Sequence, residues 1–350
     1  MSKHYCVLPF YSVETDFVNP TKNIYCCRLA PNTNIAAVQQ SMSKGLPAKE
    51  CKTCWDLESR GLTSERQIHN KTMDYLLDLN IDNIEQLSLS TGFQPKQIKL
   101  STSNLCNGQC VTCNSTWSSA WAQLEGRSTR YRALDIDSVD FGINWAYIVS
   151  LSFVGGEPLL EKKNFAILEK LIAAGNTNCF ISMVTNGSVE LSEYQISVLK
   201  HFPKLNICFS IDGTNRVFEY MRFPLQWSVL KKNIALFRTL TGNLSVSCMI
   251  SNLNIYYYSD LIAFFDQEKL PYVCKQITHP MLFNPSNLPE SVKAAVRHNN
   301  ADHVAQVESF MSVDAFSSQR YEQFKLELSR QDQLKKISIA DYLPGIANLL

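Results

Sequence analysis

The most informative part of this sequence is a cysteine-rich loop that follows a short strand-like run. The strand-like run is Gln97-Ile98-Lys99-Leu100-Ser101, and the loop reads Cys106-Asn107-Gly108-Gln109-Cys110-Val111-Thr112-Cys113. The C-x3-C-x2-C spacing places three thiolates on one tight loop, and the next cysteine is Cys179, far along the chain. Three thiolates can hold three irons of a four-iron, four-sulfur cluster, which normally takes four cysteines. The loop therefore predicts a [4Fe-4S] cluster in which one iron has no protein ligand.

Two other interpretations of the loop are a zinc knuckle and a set of buried free cysteines. A structural zinc site takes four ligands, and no further His or Cys follows this loop within the usual spacing. Asn107 and Gly108 suit a loop that wraps closely round a cluster, because both residue types tolerate left-handed backbone angles. The cluster interpretation is favoured, with Cys106, Cys110 and Cys113 as the catalytic metal ligands.

Composition limits the class of protein. The chain has 350 residues, enough for one large domain and a small one. Its formal net charge of +1 gives no strong attraction to nucleic acid or to a membrane surface. No apolar run approaches the length of a membrane span, and the N-terminus lacks the apolar core of a signal peptide, so a cytoplasmic location is predicted. In such a chain the 12 cysteines favour metal or redox chemistry over disulfides.

From residue 97 onward, strand-like and helical patterns alternate, which predicts parallel βαβ units. The candidate strands are 97–102, 147–154, 179–185, 205–211, 244–250 and 272–278. Helices are expected near 115–126, 161–174, 191–201, 226–240 and 255–268. The predicted fold class is α/β, a partial TIM-like (β/α)6 barrel with a small N-terminal cysteine-rich module and C-terminal helices. Functional residues of such barrels collect at the C-terminal ends of the strands.

Three turn-like motifs follow predicted strands. The second strand leads into Gly155-Gly156-Glu157, where the glycines allow close backbone approach and Glu157 adds a carboxylate. The third and fourth strands lead into Thr185-Asn186-Gly187 and Ser210-Ile211-Asp212-Gly213. At strand ends these motifs present hydroxyl, amide and carboxylate groups to the mouth of the barrel, although as isolated turns they indicate little.

Taken together, these motifs resemble the radical S-adenosylmethionine (SAM) superfamily, and specifically its twitch or SPASM-type branch. The resemblance covers most of the chain, from Cys6 to about Pro289. In that family the cluster donates one electron to the SAM sulfonium. The products are methionine and a 5′-deoxyadenosyl radical, which abstracts a hydrogen from the substrate. One position departs from the family pattern: the residue before the third cysteine is often aromatic there and is Thr112 here.

The resemblance also implies roles for the strand-end residues. Gly155, Gly156 and Glu157 match the family's GGE motif, which binds the methionine ammonium of SAM. Residues at the next two strand ends are implied to bind its carboxylate and ribose, namely Thr185, Asn186 and Ser210. Asp212 is a candidate for the ribose or the substrate. Arg222 is a candidate partner of the SAM carboxylate, with a surface salt bridge as the alternative.

A second group of cysteines lies near the N-terminus. It consists of Cys6, the neighbours Cys26 and Cys27, and the C-x2-C pair Cys51 and Cys54. Four of these five thiolates could hold a second [4Fe-4S] cluster, and a structural zinc site would use the same residue types. The spacing resembles a twitch module, placed here before the barrel rather than after it. Whether Cys26 or Cys27 is the ligand stays open.

The expected domain organisation has four parts. Residues 1–64 form the twitch-like module, 65–96 a helical linker, 97–288 the radical SAM barrel and 289–350 a helical extension. Within the extension, Glu322, Lys325, Glu327 and Arg330 predict a solvated helix face, with Phe324 and Leu326 facing inward.

The function predicted from sequence is that of a radical SAM enzyme with a catalytic and an auxiliary cluster. A reductant such as flavodoxin or ferredoxin is the expected protein partner, with no nucleic acid or membrane partner. The substrate is a peptide or protein, or else a small molecule or sugar, and no residue decides between these classes. Two rivals are a zinc- or iron–sulfur-containing binding protein without turnover and a non-radical methyltransferase. The GGE motif after the cysteine loop favours the radical SAM enzyme over both rivals, because a structural metal site needs no ammonium acceptor.

Overall fold

Seven parallel strands, most of them separated by helices, form the framework of the chain. The computed structural model describes residues 4–18, 25–26, 29–30, 33–59, 61, 63–77, 85–86, 95–135, 143–312 and 314–350. The strands are β1 (Ser12–Asp16), β2 (Gln97–Ser101), β3 (Ser150–Val154), β4 (Phe180–Thr185), β5 (Leu205–Ser210), β6 (Asn243–Ile250) and β7 (Tyr272–Gln276). They form one sheet in the order β1-β2-β3-β4-β5-β6-β7. Strands that neighbour one another in both chain and sheet are typical of a TIM-type barrel, and the predicted α/β class is confirmed.

The six predicted strands all form within a few residues of their expected bounds, and β1 is an addition. β1 pairs parallel to β2 in the register Ser12↔Gln97 to Asp16↔Ser101. Its sequence, Ser-Val-Glu-Thr-Asp, alternates buried and half-buried residues. Strands of parallel sheets usually read as continuous apolar runs, so a five-residue strand with two carboxylates gave little signal.

Helices and short 3₁₀ turns form further regular structure in the described residues. The helices are α1 (Leu8–Tyr11), α2 (Ile35–Ser43), α3 (Lys52–Ser59), α4 (Glu65–Leu77), α5 (Ser119–Leu124), α6 (Lys162–Ala173), α7 (Glu193–Leu199), α8 (Asn215–Met221), α9 (Trp227–Leu240), α10 (Tyr258–Gln267), α11 (Glu290–Asn299), α12 (Val304–Met311), α13 (Ser318–Lys335), α14 (Ile339–Tyr342) and α15 (Pro344–Ala347). Among the described residues, no helix combines the length and apolarity that a membrane crossing requires.

The chain divides into two compact units. The first contains Met1–Ser103, Ala133–Met183 and Glu193–Leu205. Its core includes inward-facing residues of β2, β3 and β4 and one face of α6, all at most 2% exposed: Ile98, Leu100, Leu151, Phe153, Ile181, Met183, Phe165, Ile167, Leu168 and Leu171. A second apolar cluster, around Tyr5, Val7, Phe10 and Tyr11, packs α1 against Val38 and Met42 of α2. Asn70 of α4 accepts a hydrogen bond from the buried amide of Val7 at 2.8 Å.

The second unit contains Asn104–Arg132, Val184–Ser192 and Asn206–Leu350. β5, β6 and β7 pair in parallel, with Phe209 opposite Val246 and Cys248 opposite Cys274. The last part of this unit is helical, and in α13 the residues Phe324 and Leu328 are buried. Phe324 therefore faces inward as predicted, but the expectation for Leu326 is wrong, because 71% of it is exposed.

Candidate active site and metal centres

The three-cysteine loop is fixed by the start of α5. Ser118 is the N-cap of this helix and accepts a hydrogen bond from the Trp121 amide. Its hydroxyl also donates to the carbonyl oxygen of Gly108 at 2.6 Å. The neighbouring Ser119 hydroxyl donates to the Cys106 carbonyl and accepts from the Cys106 amide, both at 3.1 Å. Ser118 thus serves both helix capping and loop anchoring, and Ser119 in the first turn is a second anchor, so the loop conformation depends on α5 being folded.

Trp121 is a third anchor that the sequence analysis did not identify. The residue is 1% exposed, and its indole Nε1–H donates to the Cys110 carbonyl oxygen at 2.9 Å. A buried tryptophan usually satisfies its N–H, and here it does so on the loop itself. The available signal was an aromatic residue three positions after Ser118, in the first turn of a capped helix.

Gly108 lies beside two of the loop sulfurs. A Cβ atom at this position would lie 3.4 Å from Sγ of Cys110 and 3.7 Å from Sγ of Cys106. The Gly108 amide points to Sγ of Cys106 at 3.4 Å. Amides directed at sulfur suit metal-bound thiolates, so the loop fits a cluster held by its cysteines. Within this described loop neither Asn107 nor Gly108 adopts a positive φ, so the expected use of left-handed angles is wrong.

Two of the loop thiols, Cys110 and Cys113, have raised pKa values. Burial raises the pKa of Cys110, an effect that nearby Arg222 partly opposes. Burial also raises the pKa of Cys113 to about 12, and the neighbouring Cys110 adds to this shift. Without metal these groups are therefore neutral thiols near pH 7, and metal binding would release their protons.

Arg222 and Asp212 form a buried ion pair beside the loop. Arg222 Nη2 lies 2.6 Å from Asp212 Oδ2, and the two side chains are 12% and 2% exposed. The second carboxylate oxygen accepts the Met249 amide at 2.8 Å, which ties the end of β5 to β6. Arg222 Nη1 lies 4.0 Å from Cys110 Sγ, and its buried Nε has no hydrogen-bond partner among the described residues. The surface salt bridge considered for Arg222 is thus excluded, because the pair is buried.

The turn after β4 contacts the cysteine loop. Asn186 Nδ2 donates to Asn107 Oδ1 at 2.9 Å and lies 4.0 Å from Cys106 Sγ. Asn107 Nδ2 donates to the Ser188 hydroxyl at 2.8 Å. Two predicted features, the loop and the Thr-Asn-Gly turn, are therefore brought together within the second unit. Ser188 was not predicted, and its position two residues after Asn186 is its only sequence signal.

Gly187 makes this turn possible. Its φ is +75°, and a Cβ there would lie 2.3 Å from Cδ1 of Leu230. The Gly187 amide donates to the Thr185 hydroxyl at 3.0 Å. Ser210 lies at the end of β5 and is half-buried. Thr185 and Ser210 are therefore on strand ends, as the sequence analysis expected.

In the first unit, the Gly-Gly-Glu motif follows β3 as a tight turn. Gly155 has a φ of +75° and Gly156 a φ of +44°. A Cβ on Gly155 would lie 3.0 Å from Cβ of Ser101, so the turn packs closely on β2. Glu157 is 1% exposed, and its Oε1 accepts the Leu159 amide at 3.1 Å. The carboxylate is thus fixed in orientation.

The N-terminal cysteines Cys6, Cys26, Cys51 and Cys54 line one small cavity in the first unit. Cys6 and Cys54 are each 5% exposed. Burial raises the pKa of Cys6 to about 12 and that of Cys51 to about 11, and their cysteine neighbours add to both shifts. Cys6 and Cys54, 48 residues apart in sequence, thus meet Cys26 and Cys51 at one place. Cys27 lies outside the described residues.

Arg66 forms one wall of this cavity. Its guanidinium donates to the Tyr5 carbonyl at 2.8 Å and pairs with Glu58 at 2.7 Å. α3 and α4 are thereby fixed to the segment that carries Cys6. A cation beside the cysteines also favours their thiolate forms.

No mononuclear metal site is preformed in the described part of the chain. There, no group of three or more His, Cys, Asp or Glu side chains is placed to hold one ion.

Comparisons with known proteins give structural matches alone. No protein-family model and no curated protein matches the sequence. A similar solved structure is native anSMEcpe with bound AdoMet, at 18% identity and a TM-score of 0.40, covering 63% of this chain and 62% of that chain. Another is Streptococcus suis SuiB bound to S-adenosylmethionine, at 11% identity and a TM-score of 0.39, covering 65% and 50%. SuiB bound to precursor peptide SuiA matches at 12% identity and 0.40, covering 78% and 60%. Each match spans less than two thirds of the other protein's chain.

Proposed function

We propose that this chain is a radical SAM enzyme with a [4Fe-4S] cluster on Cys106, Cys110 and Cys113. The main support is the loop geometry, in which Gly108 lies beside the sulfurs of Cys106 and Cys110 and its amide points to that of Cys106. The loop offers three cysteines where a fully protein-bound cluster takes four. Bound cluster and SAM would supply a one-electron cleavage that yields methionine and a 5′-deoxyadenosyl radical, which takes a hydrogen from the substrate.

The surrounding residues are proposed to bind and orient SAM. In the first unit, Gly155, Gly156 and Glu157 would accept the ammonium group. In the second unit, Thr185, Asn186 and Ser210 would contact the carboxylate and ribose. Arg222 has a buried Nε without a partner among the described residues, which suits a further acceptor such as the carboxylate. Both oxygens of Asp212 already accept hydrogen bonds or ion pairs, so its proposed role is to hold Arg222 in place.

The test is anaerobic reconstitution with iron and sulfide, followed by dithionite and SAM. Formation of 5′-deoxyadenosine, measured by chromatography and mass spectrometry, supports the proposal. A protein that assembles the cluster but releases no 5′-deoxyadenosine would instead be an iron–sulfur binding protein without turnover. A peptide or protein is proposed as substrate, with a flavodoxin- or ferredoxin-type reductant in the cell.

Glu157→Gln is expected to weaken SAM binding by about tenfold to a hundredfold, because a charge-assisted hydrogen bond contributes about 1.5–3 kcal/mol. The amide oxygen can still accept the Leu159 amide, so the turn is preserved. The dissociation constant is measured by equilibrium binding to the oxidised cluster-loaded protein. Exposed Glu169→Gln is the control. An unchanged constant would limit Glu157 to a role in the turn.

We also propose a second [4Fe-4S] cluster on Cys6, Cys26, Cys51 and Cys54, since these four cysteines share a cavity. Four protein thiolates would saturate its irons, so it would not bind SAM. Its possible roles are electron relay, substrate anchoring and stabilisation of the N-terminal segment.

Cys26→Ala is expected to remove about four irons per chain, whereas Cys27→Ala leaves them, because only the ligand's loss should strip the cluster. Iron and zinc are measured by elemental analysis after reconstitution. Cys179→Ala, at a buried cysteine outside both groups, is the control. Finding zinc in place of iron would contradict the auxiliary cluster and indicate a structural zinc site.

A further inference from the structure

The C-terminal end of α13 buries two polar side chains. Gln331 is 2% exposed and Lys335 is 7% exposed, although most of this helix carries exposed charge. Lysine is among the residues least often buried without a charged partner. The Lys335 ammonium donates to Gln331 Oε1 at 2.9 Å, and no described carboxylate forms an ion pair with it. This cation is therefore held in the interior by a neutral amide.

The same two residues lie against the three-cysteine loop. Gln331 Nε2 donates to the Val111 carbonyl oxygen at 2.9 Å, within the loop itself. Lys335 Nζ lies 4.7 Å from the ring centroid of Trp121, a favourable cation–π distance. The indole of Trp121 in turn donates to the Cys110 carbonyl. The Trp121 side chain thus contacts both the Lys335 ammonium and Cys110, a proposed cluster ligand.

The groups that affect the pKa of Lys335 include Cys110, a proposed cluster ligand. Burial lowers its pKa to about 8, so at neutral pH it is still mostly protonated. Among the groups that oppose this lowering, an ionised Cys110 would act most strongly, followed by Asp332 and Glu327, whereas Arg330 lowers the pKa further. Metal-bound cysteines are permanent thiolates, so the loaded site would favour the charged lysine.

We propose that Lys335 raises the reduction potential of the cluster bound by Cys106, Cys110 and Cys113, acting as a buried fixed charge. This inference rests on the proposed function. One electron passes from a flavodoxin- or ferredoxin-type reductant, or from dithionite, to the oxidised cluster, and no bond or proton changes at Lys335. Cluster potentials depend on nearby charge, hydrogen bonds and solvent exposure. A cation in a low-dielectric interior offsets part of the added negative charge, far more than an exposed cation could.

The test compares Lys335→Met with Lys336→Met. Lys336 is the next residue and is exposed, so its loss removes the same charge from solvent rather than from the interior. The midpoint potential is measured by electron paramagnetic resonance during a dithionite titration of the reconstituted full chain. The catalytic signal is the one absent from the C106A/C110A/C113A protein. Lys335→Met should lower the equilibrium constant for reduction at least tenfold, which is about 59 mV for one electron. Lys336→Met should leave it unchanged.

Further variants separate charge from packing. Lys335→Arg keeps the charge and should hold the wild-type potential; a shift equal to that of Lys335→Met would overturn the proposal. If Lys335→Met does not retain iron, Lys335→Gln carries the same test. A retained cluster with an unchanged potential in the neutral variant overturns the role of Lys335 alone. A wild-type protein that assembles no cluster at this loop overturns the proposed function as well.

Discussion

Replacing Cys106, Cys110 and Cys113 together with Ala is expected to abolish 5′-deoxyadenosine formation while about four irons per chain remain. The remaining iron would belong to the cysteines that share the N-terminal cavity, which has its own four thiols. The Ser118 and Trp121 side chains hydrogen-bond to backbone carbonyls of the loop, so the loop backbone should persist without the cysteine sulfurs. Cleavage is measured with dithionite under anaerobic conditions, and iron by elemental analysis.

A matched control for this triple variant replaces three cysteines outside both groups, Cys179, Cys208 and Cys248. They lie in or next to strands and belong to neither cysteine group. That protein should keep both its iron and its cleavage activity if it folds, which circular dichroism checks. Undiminished 5′-deoxyadenosine in the C106A/C110A/C113A protein would exclude the loop as the catalytic centre. Loss of all iron would show that the N-terminal cysteines hold no independent cluster.

The sequence predicted those parts of the fold whose signal is local. β3 to β6 and the helices after them carry clear apolar patterns, so their positions agreed with expectation. The prediction that Leu326 faces inward was wrong because this residue lies two positions from Phe324, about 200° round a helix. Two such residues cannot share a face. β1 was not predicted, because its own pattern is weak and it pairs with residues of β2 that lie 85 positions further along the chain.

The site was predicted as a set of residue types and not as a set of contacts. Cysteine spacing identified the loop, and the strand-end motif after β4 identified Asn186, which contacts the loop. The ion pair of Asp212 with Arg222 and the burial of Lys335 depend on long-range packing. Because polar residues are usually exposed, a lysine on a charged helix gives no sign in sequence that it is buried. Such contacts set the electrostatics of a site, and they are seen only in the folded structure.

Arg222→Met is expected to lower the free energy of unfolding by about 3–5 kcal/mol, because it leaves the Asp212 carboxylate buried without its charged partner. The 2.6 Å pair has side chains only 12% and 2% exposed, so solvent cannot replace the lost guanidinium. Urea unfolding followed by circular dichroism gives the change. The apo protein suffices, since the pair is made by protein atoms alone.

Arg238→Met provides the matched control, because Arg238 pairs with Glu268 at 2.8 Å with side chains 42% and 29% exposed. Solvent-exposed pairs contribute about 0–1 kcal/mol, so this variant should unfold nearly as the wild type does. Adding Asp212→Asn to Arg222→Met removes the unpaired charge and should recover part of the lost stability. If Arg222→Met costs no more than Arg238→Met, the buried pair does not hold β5 and β6 beside the cysteine loop. A loss several-fold larger, partly reversed in the double variant, would establish that it does.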